Sequence, residues 1–332
     1  MKKSLLTAVS VAALLAFGSA SYAAGNVEHH AQDGDDTATI TQTGNNNTIG
    51  VDNANLTLEV QQRSGVNTLT IEQVGDGNQM TRALTSQNAT SNDPSHSFQG
   101  GGDNTASIRQ LGTDNRIRRF VQNGDGNALT YTQQGDRNGR IGDLVNNVSN
   151  NPNLGDVMVT AFPEVDDFGG SFAFGADGPV ATRASQMIQA GDNNAIELNS
   201  GMASGDVQNG ASVAQLGSDN VVGGDGGGAF NQDGSRNLLL AFQESNFNTL
   251  GGSQVGNDNL MATDQQGGGN TITATQDGDL NTFFGKQEAA DNTITAAQLG
   301  NTNYATVTQS STGNLSTFTQ SGNNNSTNVT QN

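Results

Sequence analysis

Along the C-terminal third of the chain, apolar and polar positions alternate in short runs that stop at the same place each time. Counting from an Asn, the second residue is apolar and mostly large: Leu239, Leu250, Met261, Ile272, Phe283, Ile294 and Ala305. The fourth is mostly small: Ala241, Gly252, Thr263, Ala274, Gly285, Ala296 and Val307. The sixth is Gln, and the residues between are polar or Thr-rich, as in Thr271, Thr273 and Thr275. Alternation with period two predicts a β-strand with one face turned inward. β-branched Thr suits the outward positions, and a large residue followed by a small one fits a narrow interior.

The runs recur at a fixed interval. Gln232, Gln243, Gln254, Gln265, Gln276, Gln287, Gln298, Gln309, Gln320 and Gln331 stand eleven residues apart. Five residues after the first nine come Asn237, Asn248, Asn259, Asn270, Asn281, Asn292, Asn303, Asn314 and Asn325. Two residues after Gln comes Gly at Gly234, Gly256, Gly267, Gly278, Gly300 and Gly322, with Ser245, Ala289 and Ser311 as the exceptions. Upstream the same unit is anchored at Gln42, Gln73, Gln110, Gln122, Gln133, Gln189 and Gln215. It is completed there by Asn47, Asn78, Asn115, Asn127, Asn138, Asn194 and Asn220, and by Gly44, Gly75, Gly112, Gly124, Gly135, Gly191 and Gly217. A further unit starts at Gln99, with looser copies near Gln62 and Gln208.

Parity converts this clock into a shape. Asn to the next Gln is an even step, so both side chains face one side of a strand. Gln to the next Asn is an odd step, so the residues between must turn, and Gly supplies the backbone freedom for it. Strand–turn–strand–turn predicts an all-β β-solenoid of about 22-residue rungs, each made of two half-repeats of about 11 residues, with every Gln and Asn inside. A buried carboxamide without a partner costs about 1–3 kcal/mol. Stacked on its equivalent roughly 4.7 Å away, each amide donates to one neighbour and accepts from the other. The final strand keeps the repeat pattern with no Pro and no charge, so an unblocked edge is expected and with it end-to-end growth into a cross-β fibre.

Composition and charge narrow the function classes. Only 33% of 332 residues are hydrophobic and 5% aromatic, while Gly reaches 44. That is too little for a compact core of this length, but not for a repeat array. The net charge of −19 argues against a nucleic-acid partner. The absence of Cys excludes disulfides and thiolate metal sites. Lys2 and Lys3, the apolar run from Leu5 to Phe17, and Ser21-Tyr22-Ala23 read as a secretory signal peptide cleaved between Ala23 and Ala24. The expected organisation is a signal peptide 1–23, a leader 24–41, a repeat array 42–139 with a loop at 79–98, an irregular insertion 140–186, and a second array 187–332 that is most regular from 232. The loop and the insertion hold all four prolines, Pro94, Pro152, Pro163 and Pro179, which cannot donate to a ladder. The insertion includes the apolar stretch VMVTAFPEVDDFGGSFAF, which would also fit against a solenoid face.

Fourteen strict copies of Q-x-G-x-x-N behind a signal peptide resemble the curlin repeat of bacterial curli. The resemblance implies an extracellular functional amyloid whose subunit polymerises with copies of itself and supports biofilm and adhesion. It also implies a nucleator subunit, an outer-membrane secretion channel and periplasmic accessory factors as partners. With few charged outward residues in its regular array, the chain fits the major fibre subunit. The alternatives are the nucleator, and a monomeric ice-binding or adhesive solenoid using the outward Thr rows.

Other clusters have simpler explanations. His29 and His30 with Asp33, Asp35 and Asp36 belong to the leader, and His96 to a loop. The turn acids Asp76, Asp125, Asp136, Asp233, Asp277 and Asp279 read as solubilising charge, since a Ca²⁺-binding coil has a nine-residue period. Arg116, Arg118 and Arg119 read as an exposed strand face. No catalytic set, metal site or cofactor is expected, and the chain is not read as an enzyme.

Overall fold

The computed structural model describes residues 26–28, 30–33, 36–53, 56–58, 60–63, 66–80, 97–138, 185–200, 209–223 and 228–332. Among these residues the chain is all-β. Two parallel sheets face each other. Sheet I has 14 strands and ends with Leu238–Glu244, Leu260–Gln265, Thr282–Gln287, Tyr304–Gln309 and Ser326–Gln331. Sheet II has 11 strands and ends with Thr249–Val255, Thr271–Asp277, Thr293–Leu299 and Leu315–Ser321. Successive strands alternate between the sheets over this stretch, so each rung contributes one strand to each and pairs only with the rungs before and after it. This is the architecture of a β-solenoid.

Register is set by the repeat. Thr271 pairs with Thr293 and Gln276 with Gln298, and the Gln276–Gln298 separation is 22 residues. Upstream the separation between stacked Gln residues is 31, 37, 23, 67 and 26 residues, yet Gln always meets Gln. Extra residues therefore interrupt strands without losing the Gln register: breaks fall between Ile49 and Val60, Met80 and Ser97, and Val222 and Phe230, and a bulge lies between Ile117 and Arg119. A one-residue slip would turn every inward side chain outward. A small antiparallel hairpin, Val51–Asn53 with Leu56–Leu58, is one such excursion.

The core is a single file of side chains between the sheets. Leu239, Leu250, Met261, Ile272, Phe283 and Ile294 are all buried, with Ala241, Ala274 and Ala296 beside them. The division of sizes has a direct cause at Gly285, where a Cβ would lie 3.0 Å from the Phe283 ring. Phe283 fills the space that residue 285 leaves.

Three boundaries differ from the expected ones. The expected leader runs to residue 41, but Thr37–Thr43 is a full strand of sheet II, with Ala38 and Ile40 packed on the core. The strand precedes its Gln, so the first unit has to begin before Gln42. The expected loop at 79–98 is narrower, because Gln79–Met80 and Ser97–Gly100 are strands of sheet I. Residues 81–96 lie outside the described ones. The second array starts at Ser185, where Ser185–Ala190 continues sheet I. Ala23, Ala24 and the insertion, apart from 185–186, lie outside the described residues.

The largest departure concerns outward positions. On sheet II they are polar and exposed, as at Thr273, Thr295 and Thr317. On sheet I, Leu238, Leu240 and Phe242 alternate with inward Leu239 and Ala241, yet are only 1%, 7% and 7% exposed. The run LLLAFQE is apolar on both faces, which is the mark of a strand buried on both sides.

Candidate assembly interface

The interior carboxamides form continuous chains of hydrogen bonds. In sheet I the Nε2 of Gln62 donates to Oε1 of Gln99. The series continues through Gln122, Gln189, Gln215, Gln243, Gln265, Gln287 and Gln309 to Gln331, at 2.7–3.1 Å. In sheet II one series links Gln42, Gln73, Gln110 and Gln133. A second links Gln232, Gln254, Gln276, Gln298 and Gln320. Between them stands Ser200, whose hydroxyl donates to Gln232 Oε1 at 2.5 Å, while Gln133 Nε2 donates to the Tyr131 hydroxyl at 3.0 Å. The looser copy expected near Gln208 is thus anchored by Ser200 in the Gln position.

Each Gln also ties the two sheets together. Gln276 Nε2 donates to the Leu260 carbonyl at 2.8 Å, and Gln298 Nε2 to the Thr282 carbonyl at 2.9 Å. Both acceptors belong to the opposite sheet, so one amide serves the stack and closes the corner.

Asn adds backbone bonds to the expected amide-on-amide stack, which is present where Nδ2 donates to Oδ1 of the Asn one rung earlier, as for Asn259 to Asn237 at 3.1 Å and Asn325 to Asn303 at 3.0 Å. The backbone N–H of each Asn donates to Oδ1 of the Asn one rung earlier, as for Asn259 to Asn237 at 3.1 Å, Asn281 to Asn259 at 2.9 Å and Asn303 to Asn281 at 3.0 Å. Its Nδ2 donates to the turn carbonyl one rung later, as for Asn281 to Gly300 at 2.7 Å. Asn67, Asn104 and Asn209 fill the same position in upstream rungs, with Asp36 and Asn26 supplying the first oxygens. Sequence spacing flags Asn67 and Asn104, five residues after Gln62 and Gln99; Asn209 follows no Gln at that distance.

The turns carry a further ladder that the sequence reading assigned to solubility. Three residues after Gln, a side-chain oxygen accepts the backbone N–H of the equivalent residue one rung earlier. Asp76 Oδ1 takes Asn45 N–H at 2.7 Å, Asp136 takes Thr113 at 2.8 Å, Asp279 takes Asn257 at 2.8 Å and Asn301 takes Asp279 at 2.8 Å. Asp125 accepts from Gly102 at 2.7 Å. These acids satisfy turn N–H groups as well as adding charge. Asp233 and Asp277, one residue after Gln, are exposed.

The turn glycines are needed twice over. Gly256 has φ +103 and a Cβ on it would lie 2.2 Å from the Gly278 carbonyl oxygen. Stacking as well as backbone conformation excludes a side chain. At Ala289 the corner is rebuilt: Glu288 N–H donates to the Gln309 carbonyl, and the left-handed residue is Asp291 at φ 58. That turn type accepts a side chain, which explains the exceptions at Ala289 and Ser311.

Charge pairs decorate the corners. Arg236 is bonded to Asp258, which raises the guanidinium pKa further. Lys286 and Glu288 approach to 2.8 Å, and with the Ser310 hydroxyl they hold the Glu288 carboxyl below its usual range. Arg116 begins the strand Arg116–Asn123 of sheet I. Among the described residues no group of three or more His, Asp or Glu is arranged to hold a metal ion.

The ladders are polar, and the polarity is the same in both sheets. Gln Nε2 points towards the C-terminal rung and Asn Oδ1 opens in the same direction. At that rung, among the described residues, Ser326–Gln331 pairs only with Tyr304–Gln309, and Leu315–Ser321 only with Thr293–Leu299. Gln331 and Asn325 are half-exposed there, and Val329 is only partly covered. Gln320 Nε2, lacking a next Gln, donates to Thr327 Oγ1 at 3.1 Å. The stack therefore has a direction, from its first rungs to its last.

Two facing parallel sheets with Gln and Asn ladders and unpaired final strands define a stacking solenoid. Residues 300–332 match the family model of the curlin associated repeat, so the chain carries a curlin repeat and the match supports the curlin-repeat family for it. The same ladder geometry extends through the upstream rungs. No curated protein matches the chain. The curlin repeat marks structural subunits, not an enzyme family.

Proposed function

We propose that this protein is the secreted structural subunit of an extracellular curli-like amyloid fibre that supports biofilm matrix and adhesion. The observation that carries it is the last pair of strands, Leu315–Ser321 and Ser326–Gln331, each paired on one side among the described residues and bearing Gln320, Asn325 and Gln331 in ladder register. An incoming copy continues the Gln and Asn ladders from those residues. Growth is head-to-tail, because like ends present like groups. The partner at each end is another copy of the same chain, while a nucleator supplies the first template. Export follows cleavage between Ala23 and Ala24, through an outer-membrane channel with periplasmic accessory factors. Nothing in this mechanism calls for a cofactor, a metal or nucleic acid.

The test is assembly of the purified chain 24–332 in chelator, followed by thioflavin fluorescence and fibre diffraction. A lag phase abolished by seeds, with reflections near ~4.7 and ~10 Å, supports the reading. Gln320→Ala with Asn325→Ala should lengthen the lag several-fold. A stable β-rich monomer that never elongates would overturn it in favour of a surface-binding solenoid.

A further inference from the structure

We propose that, in the axial growth described above on which this step rests, the strands Val27–Glu28 and His30–Asp33 act as a self-cap. Within one copy they hold the place that Ser326–Gln331 of the preceding copy takes in a fibre. Sheet I has one level more than sheet II. Three of its levels and one of sheet II are each split into two short strands, so its 14 strands make 11 levels and the 11 strands of sheet II make 10. Among the described residues both ends of the stack therefore finish on sheet I, with Val27–Glu28 and His30–Asp33 at the start and Ser326–Gln331 at the close. The coil alternates between sheets, so the strand that follows Ser326–Gln331 in a continued stack belongs to sheet II. The next copy supplies it as Thr37–Thr43, seated on Leu315–Ser321. Its Thr48–Ile49 and Val60–Arg63 then fall directly on Ser326–Gln331 of the copy before. In the single chain those two strands carry Val27–Glu28 and His30–Asp33 instead. The two claims on one slot exclude each other, and growth exchanges one strand for the other.

The two claimants share one frame. Asn26 and Gln32 stand six residues apart, as do Asn325 and Gln331. Asn26 Oδ1 accepts the Asn47 N–H at 2.9 Å, as Asn303 Oδ1 accepts that of Asn325 at 3.0 Å, and Asn325 brings the same group to the other end. Gln32 is in register with Gln62, as Gln331 is with Gln309. The inward positions between them differ. Glu28 is exposed and in register with Ile49, at the head of a column that runs on through buried Met80 and Ile117. The matching residue of the tail strand is Thr327, in register with Ala305, and Val329 two residues on already packs on the core. An ionised carboxylate resists the interior that a Thr or a Val enters, so the first level holds its slot more weakly than a tail strand does. Until a second copy arrives, the cap covers a sheet edge that would otherwise be open.

The chain has no Cys, so disulfides introduced into the full chain 24–332 report the exchange. Paired strands lie about 4.8 Å apart, within the reach of a disulfide, and Val27 is in register with Thr48. Val27→Cys with Thr48→Cys locks the cap when oxidised. Seeded elongation should then be lost, and reduction should restore it to the parent rate. Oxidised chains that elongate as fast as reduced ones overturn the proposal. A second measurement identifies what the tail strand meets, since Ser326 follows Asn325 as Val27 follows Asn26. Ser326→Cys chains are grown into fibres with equal amounts of Thr48→Cys or Val27→Cys chains and then oxidised. Links between copies should form with Thr48→Cys and be absent with Val27→Cys. Links to Val27→Cys would mean that the cap stays in place against the tail, and fibres with neither link would mean another junction; both overturn the proposal and leave axial growth intact. A parent chain that forms no fibres overturns axial growth and this step with it.

Discussion

The two sheets share one interior and have different exteriors. On sheet II, Thr273, Thr295 and Thr317 form an exposed row in register along the stack. On sheet I, Leu240, Ala262 and Phe284 occupy the corresponding row and are buried. Inside, both sheets use the same Gln and Asn bonds at the same separation of 22 residues. The ladder determines how rungs stack, and the exterior is free to differ because an outward side chain does not enter the register. One repeat thus supports two surfaces of different chemistry.

Substitution of outward residues should break that comparison most sharply. Phe284→Ala, removing a ring that packs 6.0 Å from Tyr304, is expected to cost about 3–5 kcal/mol. Thr295→Ala on sheet II should cost no more than about 0.5 kcal/mol. Urea denaturation of the folded chain measures both, and equal effects would mean that the two exteriors are energetically alike. Interior substitutions should erase the contrast. Gln265→Ala in sheet I and Gln276→Ala in sheet II should each cost about 1–3 kcal/mol, since each leaves the same neighbours unpaired. A twofold disparity between them would show that the ladders are not equivalent.

Corner substitutions should act in the opposite direction. Leu280 holds φ 59 with 54% exposure, a conformation that costs a Leu more than an Asn. Leu280→Asn is therefore expected to stabilise by about 1 kcal/mol in the same denaturation series. The smallest effect is electrostatic. Lys286 and Ser310 lower the folded pKa of Glu288 relative to the unfolded chain. Ionised Glu288 therefore stabilises the fold above the ordinary glutamate pKa, and the contribution fades as pH falls through the lowered folded value. Glu288→Gln should be slightly less stable than the parent at neutral pH and indistinguishable from it in acid. A difference that grows in acid would contradict that sign.

Much of the fold was legible before any coordinates. Parity alone places Gln276 and Asn281 inside and a turn between them, because the strand period is two and five is odd. The inward apolar column from Leu239 to Ile294 follows from the same count. The outward burial of Leu240 and Phe242 was visible as an unbroken apolar run, but a repeat read only for its inward phase passes over it. The first strand at Thr37–Thr43 was legible as well once the strand is taken to precede its Gln. The backbone bonds that Asn adds to its amide stack were not, since spacing does not show which N–H and carbonyl lie within reach. Nor was the role of Asp76, Asp136 and Asp279, whose partners lie one rung earlier and 31, 23 and 22 residues away.

The sequence by itself determined the period, the inward phase and the identity of the ladder residues, because those depend only on local parity and on the cost of burying an unpaired amide. The tertiary structure decided what spacing leaves open. It put Ser200 in a Gln position, gave the ladders one polarity and made only one of the two outer faces apolar and buried. Each of these depends on groups far apart along the chain meeting across a rung, which no local pattern encodes.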